Sequence, residues 1–134
     1  MKLTALPLLF MTGVLAACAS NSPPQSASLS GEVFYLQRIA PPPGAQVSVS
    51  LQDVSLADAP AVELASQTLP GGQQVPVAFK LDYDPQRVQP GHSYAVSARI
   101  ENAGKLLFIS TERHSVKLDG SDPQPLRIRV DAVR

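Results

Sequence analysis

Gln46-Val47-Ser48-Val49-Ser50-Leu51-Gln52-Asp53 is the stretch that decides the fold class. Val47, Val49 and Leu51 fall on one side of an extended chain, and Ser48, Ser50 and Gln52 on the other. That period of two is the pattern of a half-buried strand. Working outward, Tyr94-Ala95-Val96-Ser97-Ala98-Arg99-Ile100-Glu101 repeats the alternation, and Leu126-Arg127-Ile128-Arg129-Val130-Asp131 repeats it with charges outward. Val75-Pro76-Val77-Ala78-Phe79-Lys80-Leu81-Asp82 alternates too, with Pro76 near its start, where a missing donor is tolerated. Residues 29–36, 62–68 and 105–112 are weaker candidates. The segment 62–68 also fits a helical turn. The segment 105–112 is apolar on both faces, which suits a central strand better than a partner-facing one.

Turn chemistry separates these runs: Ala40-Pro41-Pro42-Pro43-Gly44, Pro70-Gly71-Gly72, Pro90-Gly91, Asn102-Ala103-Gly104 and Asp119-Gly120-Ser121-Asp122-Pro123. No segment between them looks like a crossover helix, which excludes a parallel βαβ architecture. About seven short strands in this length predict an all-β fold, a single small β-sandwich of the immunoglobulin/fibronectin-like kind. Val88-Gln89-Pro90-Gly91-His92-Ser93-Tyr94 resembles the Leu-x-Pro-Gly-x-x-Tyr corner of such sandwiches, in which the Tyr hydroxyl bonds backbone a few residues upstream.

Composition narrows the function. The chain has 134 residues, 11 basic and 11 acidic side chains, and a formal net charge of zero. A nucleic-acid binder needs a basic excess to displace counterions, so that class is disfavoured. With 44% hydrophobic residues and low net charge, wholesale disorder is disfavoured as well. One Cys and two His exclude a disulfide scaffold or a structural zinc site.

The N-terminus reads as an address. Lys2 precedes an apolar run from Leu3 to Leu15, the length of a secretory h-region and short of the ~20 apolar residues a bilayer span needs. Leu15-Ala16-Ala17-Cys18 follows and resembles the bacterial lipobox. That resemblance implies lipidation of Cys18 and cleavage before it. An ordinary secretory signal would leave a free reactive thiol in an oxidising compartment, and a buried amphipathic helix does not fit a stretch that is apolar all round. Ala19 and Ser20, rather than Asp, follow the Cys, which by the same resemblance implies the outer membrane. Residues 1–17 are then the lipoprotein signal peptide, 18–28 the lipidated Cys and a flexible Pro/Ser-rich tether, and 29–134 the sandwich domain. Ten extended residues reach at most about 35 Å.

Gly31-Glu32-Val33-Phe34-Tyr35, Arg38-Ile39-Ala40-Pro41-Pro42, the stretch Ala45 to Ser55, Ala57-Asp58-Ala59-Pro60-Ala61, the stretch Gln74 to Pro85, and Tyr94 to Ile100 together resemble the YbaY/YscW-type envelope lipoproteins. No single motif here is specific; the ordered set is. The resemblance implies a β-sandwich behind a lipobox. One branch of the family consists of pilotins, lipoprotein chaperones of type III secretion that help a secretin reach the outer membrane. The other consists of envelope lipoproteins with no settled role.

Motifs of catalysis are missing: there is no Gly-x-Ser-x-Gly elbow, His-Glu-x-x-His helix or phosphate loop. The chain therefore reads as a non-enzymatic, periplasm-facing binding or scaffold module without a cofactor. A hairpin centred on Ala103 would pair Ile100 with Leu106 and His92 with His114, a conceivable weak metal site with Glu112 nearby. Two solvated imidazoles are the favoured reading, because a third ligand and its supporting shell are not evident. Asp53, Asp58, Asp82 and Asp84 read as turn residues rather than a Ca²⁺ site.

Overall fold

The computed structural model describes residues 26–70 and 75–134, together with positions 2, 4, 13 and 14. Cys18, most of the leader and most of the tether lie outside the described residues. Nine strands are present among the described residues: β1 (Ala27–Phe34), β2 (Gln46–Asp53), β3 (Val62–Pro70), β4 (Val77–Tyr83), β5 (Tyr94–Asn102), β6 (Lys105–Ile109), β7 (His114–Val116), β8 (Leu126–Arg129) and β9 (Asp131–Ala132). The alternating runs become these strands because each can bury one face. Val47, Val49 and Leu51 of β2, Phe79 and Leu81 of β4, and Val96 and Ile100 of β5 all point into one core. Leu51, Leu81, Ile100 and Ile128 are the largest fully buried side chains. Each is worth roughly 1.5–3 kcal/mol relative to exposure, which makes this core the main favourable term in folding.

The strands form a sandwich of two sheets, in the orders β4-β1-β8 and β3-β2-β5-β6-β9, with β7 also pairing β5. β1 runs antiparallel to β4 and parallel to β8. The segment 62–68, which also fitted a helical turn, is the edge strand β3, antiparallel to β2 with a bulge at Leu51/Gln52.

Nine strands appear where the pattern predicted seven, for two physical reasons. The predicted strand 105–112 ends early, at Ile109, and β7 lies beyond its bounds in a stretch the pattern left unassigned; Ser110 N–H donates to Ala98 O at 2.9 Å while its Oγ accepts from Ala98 N–H at 3.1 Å. The side chain thus satisfies β5 where the partner strand departs, and β7 resumes the pairing at Val96–His114. The C-terminal run divides because it changes sheets. Leu126–Arg129 pairs with β1; Val130 N–H reaches Phe34 O at 2.9 Å; Asp131 and Ala132 then pair with Ile109 and Phe108 of β6. One continuous segment therefore belongs to both layers and joins them along that side.

The hairpin register differs from the sequence expectation. The turn is the two-residue pair Ala103-Gly104, both at positive φ (50° and 81°), so Asn102 faces Lys105 and Glu101 faces Leu106. Paired positive φ values match the right-handed twist of the flanking strands. A bulge then skips Leu107, and Ile100 faces Phe108 rather than Leu106. His114 faces Val96, not His92, so the imagined His92–His114 cross-strand pair does not form.

The tyrosine corner is present. Tyr94 is buried and its hydroxyl accepts from Gln89 N–H at 2.7 Å. This fixes the turn leading into β5. At that same end of the sandwich lie Ala27, where the chain joins β1, and its pairing partner Tyr83 at the end of β4.

Candidate functional site

The open end of the sandwich beside Ala27 carries a depression that combines polar anchors with large exposed apolar side chains. β2 ends at Asp53 and β5 begins at Tyr94, directly opposite. Asp53 accepts from Ser55 N–H at 3.0 Å, a local turn of the Asp-x-Ser type, and also from the Ser55 hydroxyl. Its other oxygen lies 2.6 Å from His92 Nδ1. Ser93 N–H donates to Ser55 Oγ at 2.8 Å, and Val54 N–H to Ser93 O at 2.8 Å. Three polar contacts thus stitch the β2–β3 loop to the tyrosine-corner turn, and two more close that loop on itself. The His92 bond and the two Ser55 bonds hold the Asp53 carboxyl down to about 2, because all three favour the ionised form.

On the other flank, Asp84 accepts from Gln86 N–H at 2.9 Å and caps the 3-10 turn Pro85–Arg87. That turn aims the Arg87 guanidinium at β3, where it donates to Glu63 O at 3.1 Å and Leu64 O at 3.4 Å. An edge strand's free carbonyls are thereby covered, which protects it from adventitious pairing. Further along the same edge, Lys80 N–H of β4 donates to Gln67 Oε1 of β3 at 2.8 Å.

Between these two flanks runs a groove of about 460 Å³, lined on its apolar side by Leu56, Pro60, Val62 and Leu64. Leu56 is 73% exposed and Val62 57%. A second depression lies on the outer face of the larger sheet. It is a field of hydroxyls from Ser48, Ser50, Ser66, Thr68, Ser97 and Ser110, with Ser50 and Ser97 Oγ atoms 2.9 Å apart. Val49, Ala98 and Ile109 are its apolar side chains, and Glu63 and Arg99 its charged ones.

The Asp53–Ser55–His92 group contains the residue types of a nucleophilic triad in the wrong order. The hydroxyl donates to the carboxylate, not to the imidazole, so the His has no serine proton to take. Among the described residues no three His, Cys, Asp or Glu side chains converge on a possible metal position. The four aspartates singled out in the sequence do separate jobs. Asp53 and Asp84 close local turns, Asp82 pairs loosely with Lys80 at 3.8 Å, and Asp58 lies exposed in the β2–β3 loop. Cys18, the predicted lipidation site, falls outside the described residues. Sequence reasoning missed the groove itself. Asp53-Val54-Ser55 signalled a turn, but nothing in the spacing signalled a bond to His92, 39 positions away.

Residues 24–128 match the model of the type III secretion system lipoprotein chaperone family, YscW. The chain belongs to that family. It is 41% identical over 87 residues to the uncharacterized lipoprotein YbaY of Escherichia coli K12, and the match takes in 64% of this chain and 46% of YbaY. The chain thus spans about half the length of the curated relative it matches. Among solved structures it resembles an alternative pilotin from the type II secretion system of Vibrio cholerae. The TM-score is 0.75 at 43% identity, over 82% of this chain and 99% of the pilotin chain. The sandwich, the lipoprotein affiliation and the family expected from the sequence are all met by these findings. No helix among the described residues is long and apolar enough to cross a membrane.

Proposed function

We propose that this YscW-family chain is a lipid-anchored envelope chaperone of the pilotin kind. It is cut before Cys18, acylated there, and held at the periplasmic face of the outer membrane by residues 18–28. The domain 29–134 does no covalent chemistry of its own. It binds a segment of a partner protein, a secretin subunit, and its lipid carries that partner to the outer membrane. The observation that carries this reading is the likeness to a pilotin over 99% of that protein's chain at 43% identity. At that identity and a TM-score of 0.75 the two chains share a fold. The groove at the tethered end supports it, since exposed Leu56 and Val62 are side chains whose burial a partner can use.

A second reading, an envelope lipoprotein acting through other protein contacts, is favoured by the match to YbaY. One experiment separates them. In a strain lacking this protein, secretin multimers extracted from fractionated membranes should shift from outer to inner membrane. Complementation with the Cys18→Ala variant should fail to restore them. Secretin multimers at normal abundance in the outer membrane of the deletion strain would refute the pilotin reading.

A further inference from the structure

The two sheets end in β4 and β8 on one layer and in β3 and β9 on the other. Three of these edges are covered or short. β3 and β4 lie against one another: Gln67 Oε1 accepts from Lys80 N–H at 2.8 Å, and Arg87 takes the Glu63 and Leu64 carbonyls. β9 is two residues long, and Val133 N–H beyond it still reaches back to Leu107 O, at 2.9 Å. β8 differs. Its β1 side is fully engaged, and just before it Gln124 Oε1 accepts from Ser30 N–H at 3.1 Å. Among the described residues no strand pairs with its other side, and no loop or side chain bonds to that side.

The register fixes which groups are left there. Val130 N–H reaches Phe34 O, and main-chain groups turn to alternate sides along a strand, so Ile128 also turns to β1. Arg127 and Arg129 turn outward, each with an N–H and a C=O. An antiparallel strand laid along them gains about four main-chain hydrogen bonds.

The same two residues are exposed on the outer face of the sheet. Arg129 is held by Asp131 at 3.1 Å. The Arg127 guanidinium lies 4.7 Å over the Phe34 ring. It makes no ion pair among the described residues, not even with Glu32 directly opposite on β1. A second copy of this chain is a poor occupant. A twofold pair of β8 strands centred on Ile128 sets Arg127 against Arg129 of the second copy twice over, and like charges directly opposite repel. A strand with a carboxylate at that place meets attraction instead.

We infer that the outer edge of β8 takes up an extended segment of a partner protein as an antiparallel strand, with an acidic residue opposite Arg127. The main-chain bonds at Arg127 and Arg129 hold the segment, and the charge selects it against the chain itself. This edge is open whether or not the groove carries a secretin segment.

The test uses the full chain in detergent and three synthetic peptides: Thr-Val-Glu-Val-Glu-Val-Thr, its Lys-for-Glu counterpart, and the Glu peptide with both Glu amides N-methylated. Binding is followed by fluorescence anisotropy and by amide hydrogen exchange. In the free protein the Arg127 and Arg129 amides should exchange at least tenfold faster than those of Ile128 and Val130. Saturating Glu peptide should slow the first pair about tenfold and leave the second pair unchanged. N-methylation should weaken binding about tenfold, as loss of main-chain hydrogen bonds requires. Arg127→Pro should do the same while keeping the β1 ladder, because an edge strand tolerates proline where its N–H faces outward. Arg127→Gln, the Lys peptide and added salt should each weaken binding several-fold.

Failure of the Glu peptide to bind overturns the inference, and so does slow exchange at Arg127 and Arg129 in the free protein. Equal binding of the N-methylated or the Lys peptide overturns it too. Binding that Leu56→Ser abolishes and Arg127→Pro leaves intact overturns it in favour of the groove. A concentration-dependent dimer of the full chain that Arg127→Pro dissolves overturns it in favour of a second copy. The N-methylated peptide is read on the unaltered protein, so that arm decides the matter even where Arg127→Pro fails to fold.

Discussion

Gly31→Ala is the most exacting test of the fold described above. Gly31 lies on the inward side of β1 between Leu29 and Val33, opposite Phe79 of β4 and Leu126 of β8. A Cβ at this position would fall 2.6 Å from Leu126 O, 2.6 Å from Phe79 Cζ and 2.9 Å from Leu126 Cβ. Unstrained carbon contacts lie near 3.5–4.0 Å. The Phe79 ring can tilt, but the Leu126 carbonyl belongs to the backbone of a paired strand, so β1 and β8 must part. Overpacking of this kind costs about 1–3 kcal/mol. Replacing a strand glycine ordinarily returns ~0.5–1 kcal/mol, so the net expectation is a loss of about 1–2 kcal/mol. At ~4–8 °C per kcal/mol for a domain near this size, the melting temperature should drop by about 5–15 °C. Calorimetry and urea titration would measure it, the midpoint falling with the slope unchanged. Phe79→Leu should be less harmful in the Gly31→Ala background than alone, because it relieves one of the three close contacts. Gly91→Ala is the control: it has φ +80° with nothing near its Cβ position, so it carries backbone strain of about 1–2 kcal/mol and should show no coupling to Phe79. A Gly31→Ala protein as stable as the parent would refute the packing of β1 between β4 and β8.

Three further outcomes are expected. Tyr94→Phe should destabilise by about 1–2 kcal/mol in urea titration, because it strips the acceptor from Gln89 N–H while leaving the buried ring in place. The Asp53 carboxyl, held at about 2 in the fold against ~3.9 in an unfolded chain, stabilises the protein fully above the higher value. That contribution is lost as pH falls from about 4 through 2, so Asp53→Asn should flatten the acid limb of a stability-versus-pH curve; an unchanged limb would show that the His92 and Ser55 bonds do not form. Cys18→Ala should abolish metabolic labelling with palmitate and release the protein from the membrane fraction, and retained label would place the acyl chain elsewhere.

Much of the fold was readable because strand periodicity reports burial directly. Gln46–Asp53 is β2 residue for residue, since Val47, Val49 and Leu51 have no other way to reach a common core. The tyrosine corner was readable for a similar reason, as its pattern encodes a local bond. What alternation does not encode is which sheet a strand joins. Leu126, Ile128 and Val130 keep pointing inward while the backbone passes from one layer to the other, so the division into β8 and β9 leaves no trace in the pattern. Bulges are equally silent: Leu107 drops out of register without breaking an apolar run, and that skip, the two-residue turn and the passage from Ile109 to His114 together set His114 opposite Val96 rather than His92. The groove was hidden because it is assembled from a loop, a capped 3-10 turn and an edge strand, brought together by the Asp53–His92 and Arg87–backbone bonds across 39 and about 24 positions. Spacing along a chain carries no information about bonds of that kind.

The chain joins β1 at the same end on which the groove opens, and β1 begins at Ala27, leaving only eight residues between it and Cys18. With Cys18 acylated as proposed, those residues reach at most ~30 Å. Whatever the groove holds is therefore leashed within about a domain's width of the leaflet. Its search for an insertion site becomes a glide across a surface rather than a wander through the periplasmic volume, and a weak grip suffices because a released passenger is already at its destination.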